Sequence, residues 1–381
     1  MDKKPVYLDY NATTPIDPTV AEAMFPYLHE KFGNPSSGHF FGVEARKGLE
    51  KARTQVARML CCRPEEIIFT SGGTESNNLA IMGIAMANKS KGKHIVTSSI
   101  EHPAVLDVCR HLEKLDFVTT YLDVDQYGRI SPDDLERAIR PETVLVTIMH
   151  ANNEVGTIQP IQQLVEITHK HGALFHTDAA QSIGKIPVLI PELGVDLLSV
   201  AGHKMYAPKG VGALYIRSET NLKKMMYGAN QERELRPGTE NVLEIVGLGK
   251  ASELISQNVE EYHKHMREMR DELERKIIKI IPKTKINGHP EHRLPNTSSV
   301  SFPGIEADLL ISKLKSVAVS AGAACHTGDI DLSHVLRAMN IPPEIAMGTI
   351  RFSVGRQTKF EEIDKAVTDI SKVISEIRMI A

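Results

Sequence analysis

The sequence predicts an α/β protein built on a mainly parallel sheet that is covered by helices. Two observations support this fold class. Short apolar runs alternate with amphipathic stretches through the middle of the chain. The apolar runs are also continuous, as expected for strands that are buried on both faces. Each pair of parallel strands needs a crossover connection, so regular alternation of strands and helices favours a parallel sheet.

The predicted elements follow one another closely. The strand candidates, in chain order, are 94–100, 143–151, 173–180, 196–202 and 210–217. Helices are predicted over 104–115 and 161–172, and the second of them ends at a glycine. The 210–217 run follows the preceding strand so closely that we expect it to run antiparallel at the edge of the sheet.

The sequence pattern changes near Val242. From there, apolar residues keep a helical spacing for more than thirty positions. Shorter strand and helix signals follow, in an α+β pattern. We therefore predict a large domain of residues 16–255 and a smaller domain formed by residues 1–15 and 256–381.

Composition excludes several functional classes. The net charge of −3 over 381 residues gives no electrostatic reason to expect a nucleic acid or an anionic membrane as partner. No secretory leader or membrane-spanning run is visible, so we expect a cytoplasmic protein. The four cysteines form no C-x-x-C pattern, which predicts reduced thiols and no metal site.

Two strand ends carry side chains that suit one cofactor. Asp178 ends the strand in HTDAAQS, and Lys204 lies in a turn between two apolar strands. Open α/β sheets bind ligands at the carboxyl ends of their strands, so we expect both residues near one crevice. Pyridoxal phosphate uses such a pair, since a lysine forms a Schiff base with it and an aspartate keeps its ring nitrogen protonated. The alternative is a surface lysine and an ordinary strand-end aspartate.

A phosphate site is predicted in FTSGGTESNN. There a strand end is followed by Gly72 and Gly73, and a helix begins near Thr74. Free N–H groups and the dipole at a helix N-terminus favour phosphate, and glycines allow close approach of the backbone. The alternative is an ordinary capping turn, with Ser71 or Thr74 as the cap.

Other polar residues near strand ends are further candidates. His102 follows a strand, where its ring can stack on a cofactor or move protons. Three arginines are able to bind a carboxylate through two parallel hydrogen bonds, namely Arg236, Arg351 and Arg356. Taken alone, each of these residues is better explained by turn formation or surface charge.

Together, these segments resemble a known family. The motifs are YLDYNATTP, GNPSS, FTSGGTESNN, EHPAV, NNEVG, HTDAAQS, GHKMYAPKG, QERELRPGTEN, AACHTG and RFSVGR. In this order, over residues 6–375, they resemble the NifS/IscS-type cysteine desulfurases, in the class V branch of the fold-type I pyridoxal-phosphate enzymes. The resemblance implies a large domain with a mainly parallel seven-stranded sheet and a smaller α+β domain.

The resemblance also implies a role for each matching residue. The implied cofactor ligands are Lys204 as the Schiff-base lysine, Asp178 at the ring nitrogen, Gln181 at the phenolic oxygen, His102 on the ring face, Asn153 beside it, and Gly73, Thr74 and His203 at the phosphate. Thr239 is implied to reach the phosphate of a neighbouring subunit, which implies a homodimer. Arg351, with Asn153 nearby, is implied to bind the substrate carboxylate.

The implied reaction converts L-cysteine to L-alanine and leaves the sulfur on Cys325 as a persulfide. Cys325 lies in SAGAACHTG, and its small neighbours suit a thiol that must stay accessible and mobile. Lys204 and His102 are the candidate acid–base groups, and the base that removes the α-proton is open between them. We expect a protein acceptor of the sulfur, such as an iron–sulfur scaffold.

Three alternatives are weighed against this function. Ala201, where a serine is usual, and His326, directly after Cys325, look more like selenocysteine lyases, whereas the spacing from Cys325 to SHVLR matches the NifS/IscS group. A catalytically idle sulfur carrier is disfavoured because all the implied catalytic residues are present. An aminotransferase would have no use for Cys325.

Overall fold

The computed structural model describes residues 4–326 and 329–380. The strands in these ranges are β1 (Val6–Tyr7), β2 (Ile67–Thr70), β3 (His94–Ser98), β4 (Val118–Leu122), β5 (Thr143–Thr147), β6 (Leu174–Asp178), β7 (Leu197–Ala201), β8 (Gly212–Ile216), β9 (Lys285–Asn287), β10 (Thr297–Ser301), β11 (Val317–Ala318), β12 (Ser320–Ala321), β13 (Ala323–His326), β14 (Asp329–Leu332) and β15 (Thr349–Ser353). The helices are α1 (Pro18–Met24), α2 (Phe40–Leu60), α3 (Gly73–Asn88), α4 (Pro103–Glu113), α5 (Pro132–Ala138), α6 (Ile161–Lys170), α7 (Ile190–Leu193), α8 (Val242–Ile280), α9 (Ala307–Lys313), α10 (His334–Ala338), α11 (Pro343–Ala346) and α12 (Phe360–Ile380).

The central sheet has seven strands in the order β2-β8-β7-β6-β5-β3-β4. Strands β7, β6, β5, β3 and β4 are parallel to one another, and β8 is antiparallel to both β7 and β2. The predicted α/β class with a mainly parallel sheet is therefore confirmed. The predicted direction of β8 is correct, but its predicted edge position is wrong. Strand β2, about 140 residues earlier in the chain, pairs with the outer side of β8 and forms the edge instead.

Helices cover both faces of this sheet, which explains why its strands read as continuous apolar runs. Neighbouring side chains of β7 belong to the cores on opposite faces of the sheet. Leu197 is part of the apolar cluster that includes α3 and α4, and Leu198 is part of the cluster that includes α2, α6 and α8. Both side chains are fully buried. Because a strand directs successive side chains to opposite faces, a two-sided core requires apolar residues at every position.

A second core lies in the C-terminal part of the chain. A four-stranded antiparallel sheet, β12-β15-β10-β9, packs against α12 and the C-terminal half of α8. Val6 and Leu8 of the N-terminal segment belong to this core, and β1 pairs in parallel with β11. The long helix α8 contributes to both cores.

These two cores support the division into two domains, at residues 15 and 255, that the sequence predicts. We propose this division, and it stays a prediction. One segment crosses it, since α10 and α11 contribute Val335, Leu336 and Ala346 to the core of the large sheet. Among the described residues, no helix is long and apolar enough to cross a membrane.

Candidate active site

The carboxyl ends of the parallel strands open onto a cavity of about 290 Å³. The predicted site residues that line it are Gly73, Thr74, His102, Asn153, Gln181, His203, Lys204 and Arg351. A larger cavity of about 690 Å³ lies between α2 and residues 229–240 and contains none of them. We take the smaller cavity as the active site, because it unites chemically matched side chains from separate elements.

Asp178 ends β6 beside this cavity and is only 8% exposed. Its Oδ2 accepts a hydrogen bond from Asn77 Nδ2 at 2.7 Å, and its Oδ1 accepts one from the Ala180 amide at 2.9 Å. Each oxygen of this carboxyl group is therefore held in place by a donor. Asn77 lines the cavity, and its buried Oδ1 has no hydrogen-bond partner among the described residues.

The N-terminus of α3 forms another wall of the cavity. This helix of 16 residues begins at Gly73, and no side chain of the described residues caps its first turn. Gly72 has φ of 153°, a conformation that residues with a side chain rarely adopt. A Cβ atom on Gly212 of the neighbouring strand β8 would lie 2.7 Å from the Gly72 Cα, so this close approach requires a glycine at position 212. Uncapped N–H groups at a helix start suit a phosphate.

Lys204 follows β7 in a short helical turn. Burial lowers the pKa of Lys204 from its ordinary value, Asp178 opposes this shift, and Arg351 adds to it. A lowered pKa increases the fraction of neutral amine, which is the nucleophilic form. The preceding residue, His203, donates to or accepts from Thr13 Oγ1 at 3.2 Å, and burial together with two nearby lysines lowers its pKa to about 4.

His102 is the N-cap residue of α4, and its Nδ1 accepts a hydrogen bond from the Ala104 amide at 3.1 Å. Burial lowers the pKa of His102, Asp178 opposes the shift, and Lys204 adds to it. The ring is therefore neutral at pH 7, with its proton on Nε2, because Nδ1 acts as an acceptor. A neutral ring can lie against an aromatic cofactor and exchange a proton through Nε2.

Arg351 is the arginine that reaches the cavity. Its Nη2 donates to Asp9 Oδ1 at 2.9 Å and to Ser320 Oγ at 3.1 Å, and its Nη1 donates to the Asn153 carbonyl at 3.1 Å. Its buried Nε has no hydrogen-bond partner among the described residues. Three of the five N–H groups thus fix the guanidinium in place, and two are left without a partner among the described residues.

The other two arginine candidates lie elsewhere. Arg236 pairs with Glu75 at 3.1 Å, and Arg356 pairs with Asp17 and stacks on the ring of Tyr206. Neither lines the cavity. The structure therefore separates three arginines that the residues alone left equivalent.

Three predicted residues are not among the described residues that line the cavity. Asp178 lies behind the lining residue Asn77, to which it is hydrogen-bonded. Thr239 is exposed and lies outside the lining. Cys325 belongs to β13, whose backbone pairs with β14, and its side chain lies outside the described part of the structure. Their implied roles stay predictions.

Sequence reasoning missed several residues of the site. Asn11 and Asn77 line the cavity, Lys185 contacts both Asn11 and Gln181, and Asp9 holds Arg351. Asn77 could have been predicted from the sequence, because it lies four residues after Gly73 and therefore on the same face of the helix. Asn11 and Asp9 act through contacts with residues far along the chain, which no local pattern indicates.

Glu101, next to His102, was also missed. It is fully buried, accepts from Ser98 Oγ at 2.6 Å, and accepts from the Met149 amide at 2.9 Å. Burial raises the pKa of Glu101 to about 8, although these hydrogen bonds favour the charged form. Glu101 is therefore mostly protonated at pH 7, and it immediately precedes His102 in the chain.

The family model described as Aminotransferase class-V matches residues 6–366, so the chain belongs to the class-V aminotransferase family. It is 50% identical over 381 residues to the cysteine desulfurase IscS of Dictyoglomus turgidum, covering 100% of this chain and 97% of that protein. It is 48% identical over 379 residues to the IscS of Methanosarcina thermophila, covering 99% and 94%. A solved NifS-like protein superposes with a TM-score of 0.92 at 40% identity, covering 97% of this chain and 99% of that one. The predicted resemblance to NifS/IscS-type cysteine desulfurases is confirmed.

Glu101 should make stability depend on pH. From about pH 5 to about pH 8 the folded protein keeps a proton that the unfolded chain, with a carboxyl pKa of 4.5, has released. Stability should therefore fall as pH rises through this window, by up to about 1.4 kcal/mol per pH unit. Glu101→Gln should flatten that decline, as measured by urea unfolding at several pH values. The exposed Glu65→Gln variant is the control, and equal pH profiles for Glu101→Gln and wild type would contradict the assignment.

Proposed function

We propose that this protein is an L-cysteine desulfurase that uses pyridoxal 5'-phosphate. The observation that carries the proposal is the union of Asp178, the α3 N-terminus, Lys204 and Arg351 around one cavity. Full-length similarity to two cysteine desulfurases supports the same activity. These relatives also favour cysteine over selenocysteine as the substrate.

The described residues fit the proposed cofactor. The first turn of α3, with Gly73, Thr74 and the adjacent His203, would bind the phosphate. Asp178 would hold the ring nitrogen, Gln181 the phenolic oxygen and Lys204 the aldehyde carbon, and Asn153 would lie beside them. When bound, pyridoxal phosphate supplies an electron sink for the bonds around the substrate α-carbon. The unpartnered Oδ1 of Asn77 is a further polar contact available to a ligand.

The protein's own groups then supply binding and proton transfer. An N–H group of Arg351 that has no partner among the described residues would orient the substrate carboxylate. His102 would lie on the ring face and exchange a proton through Nε2, and Lys204 is the second group able to do so. Because both side chains are buried and neutral forms are favoured, they can accept a proton near pH 7.

Cys325 is the proposed sulfur acceptor. Its thiolate would attack the substrate sulfur, the Cβ–S bond would break, and a new S–S bond would form. The products are L-alanine and a Cys325 persulfide, so atoms and electrons balance without an added oxidant. The small residues of SAGAACHTG suit a thiol that delivers this sulfur onward.

A protein acceptor, such as an iron–sulfur scaffold, is the proposed destination of the sulfur. Retention of labelled sulfur on Cys325 in the presence of a thiol-bearing scaffold would contradict this.

We also propose a cytoplasmic location, which suits the free thiols of Cys61, Cys62 and Cys109. A disulfide among these residues in freshly isolated protein would count against it.

Activity is the first test of the proposal. The wild-type protein loaded with pyridoxal phosphate should release alanine from L-cysteine in the presence of a reductant. Cys325→Ser should keep the bound cofactor but lose both the persulfide and this activity, because the serine hydroxyl cannot accept the sulfur. Measurements on L-selenocysteine, made side by side, separate the alternatives. Activity confined to selenocysteine, or unchanged in Cys325→Ser, would overturn the proposed function.

The proposed homodimer has its own test. Phe32, Phe40 and Phe41 form an exposed aromatic cluster, 65%, 72% and 46% exposed, of the kind that interfaces cover. Sedimentation should give twice the mass of one chain, and Phe40→Asp should shift it toward the monomer. The same variant should weaken cofactor binding, because Thr239 of one subunit would no longer reach the other. Phe360→Asp, on an exposed ring of α12, is the control, and a monomeric wild-type protein would refute the dimer.

A further inference from the structure

Lys185 is a buried lysine behind the cavity. It is 4% exposed, and its Nζ donates to Gln181 Oε1 at 2.6 Å and to Asn11 Oδ1 at 2.9 Å. Within residues 4–326 and 329–380, no carboxylate forms an ion pair with it. Buried lysines ordinarily have a charged partner, so this one needs another explanation.

The surroundings of Lys185 suit a neutral amine. Burial lowers its pKa well below the ordinary value, and Lys204 and Arg351 nearby add to the shift. A neutral amine has two N–H groups, which match the two amide oxygens that accept from it. Lys185 therefore acts as a hydrogen-bond donor in this position, where an ion pair is not required.

The two hydrogen bonds around Gln181 fix its amide. Oε1 faces the Lys185 amine, and Nε2 donates to the Asn11 carbonyl at 3.0 Å. A carbonyl can only accept, so the Asn11 carbonyl sets the orientation of the amide, and Oε1 then accepts from Lys185. The second N–H of Nε2 has no partner among the described residues and stays available on a side chain that lines the cavity.

The Asn11 side chain extends the contact toward the substrate side. While its Oδ1 accepts from Lys185, its Nδ2 donates to the Asn153 carbonyl at 3.1 Å. Arg351 Nη1 donates to that same carbonyl. Lys185 thus contacts the cavity residue Gln181 directly, and it reaches the Asn153 carbonyl only through Asn11.

We propose that Lys185 is a positioning residue that holds the Gln181 amide with its free N–H directed at the phenolic oxygen of the cofactor. This inference rests on the proposed function. A donor at that oxygen stabilises its anionic form, which affects both the affinity for the cofactor and its visible absorbance. The reacting atoms are contacted by Gln181, and Lys185 acts through it.

Lys185→Met tests the proposal, because it keeps the length and burial of the side chain but removes both donors. The dissociation constant for pyridoxal phosphate should rise about 5- to 100-fold, the effect of leaving a buried acceptor without its donor. The visible absorbance maximum of the loaded protein should shift as well. Lys185→Gln, which keeps an N–H donor group on a shorter side chain, should restore part of the affinity.

A double-mutant cycle shows whether Lys185 acts through Gln181. Gln181→Ala should cause a similar loss of affinity, and the double variant Lys185→Met/Gln181→Ala should lose little more than either single variant. Ser182→Ala is the matched control, since Ser182 is buried in the same turn and its Oγ has no partner among the described residues. Thermal melting of each variant identifies any loss of folding, and Lys185→Gln replaces Lys185→Met in the cycle if the latter does not fold.

The outcomes are distinguishable. Wild-type affinity and an unchanged absorbance maximum in the Lys185→Met variant would overturn the inference, as would losses that simply add in the double variant. A wild-type protein that does not bind pyridoxal phosphate would overturn the proposed function and this inference together.

Discussion

The hydrogen bond between Asn77 and Asp178 is the interaction on which the site depends. It joins the second turn of α3 to the end of β6, residues that are 101 positions apart. The α3 N-terminus is the proposed phosphate site and Asp178 the proposed partner of the ring nitrogen, so this one bond sets the distance between the two ends of the cofactor. A buried carboxylate without such donors would cost several kcal/mol. The parallel sheet provides this arrangement because the carboxyl ends of its strands meet at one edge.

The N-terminal segment closes the cavity from the other side. Asn11 is 1% exposed, and its side chain reaches Thr297, Asn296, Lys185 and the Asn153 carbonyl. Asp9 holds Arg351 of β15 through a contact that spans 342 positions. Residues near the start of the chain therefore connect the two cores at the point where substrate would bind. A rigid frame of this kind fixes Arg351 before a ligand arrives, which reduces the entropic cost of binding.

Local sequence patterns predicted most of the fold but only some of the residues of the candidate site. Continuous apolar runs identified β5, β6 and β7, and strand ends identified Asp178 and Lys204. The edge position of β8 could not be predicted, because β2 joins it from a distant part of the chain. The choice of Arg351 over Arg236 and Arg356 came from the family resemblance, since the three differ only in tertiary contacts. Asn11 was missed for the same reason, because its partners lie far along the chain. Lys185 was missed because its contact with Gln181 forms within an irregular turn.

Identification of the lysine that carries the cofactor tests the account most directly. The chain places two lysines close to the cavity. Lys204 is half-buried and lines it, and Lys185 is buried behind it. Borohydride treatment of the loaded protein traps the cofactor-bearing lysine as a stable amine, and peptide mass spectrometry then locates it. We expect a pyridoxyl label on Lys204 alone. A label on Lys185, or on a surface lysine with Lys204 unmodified, would contradict the placement of the cofactor between Asp178 and the α3 N-terminus.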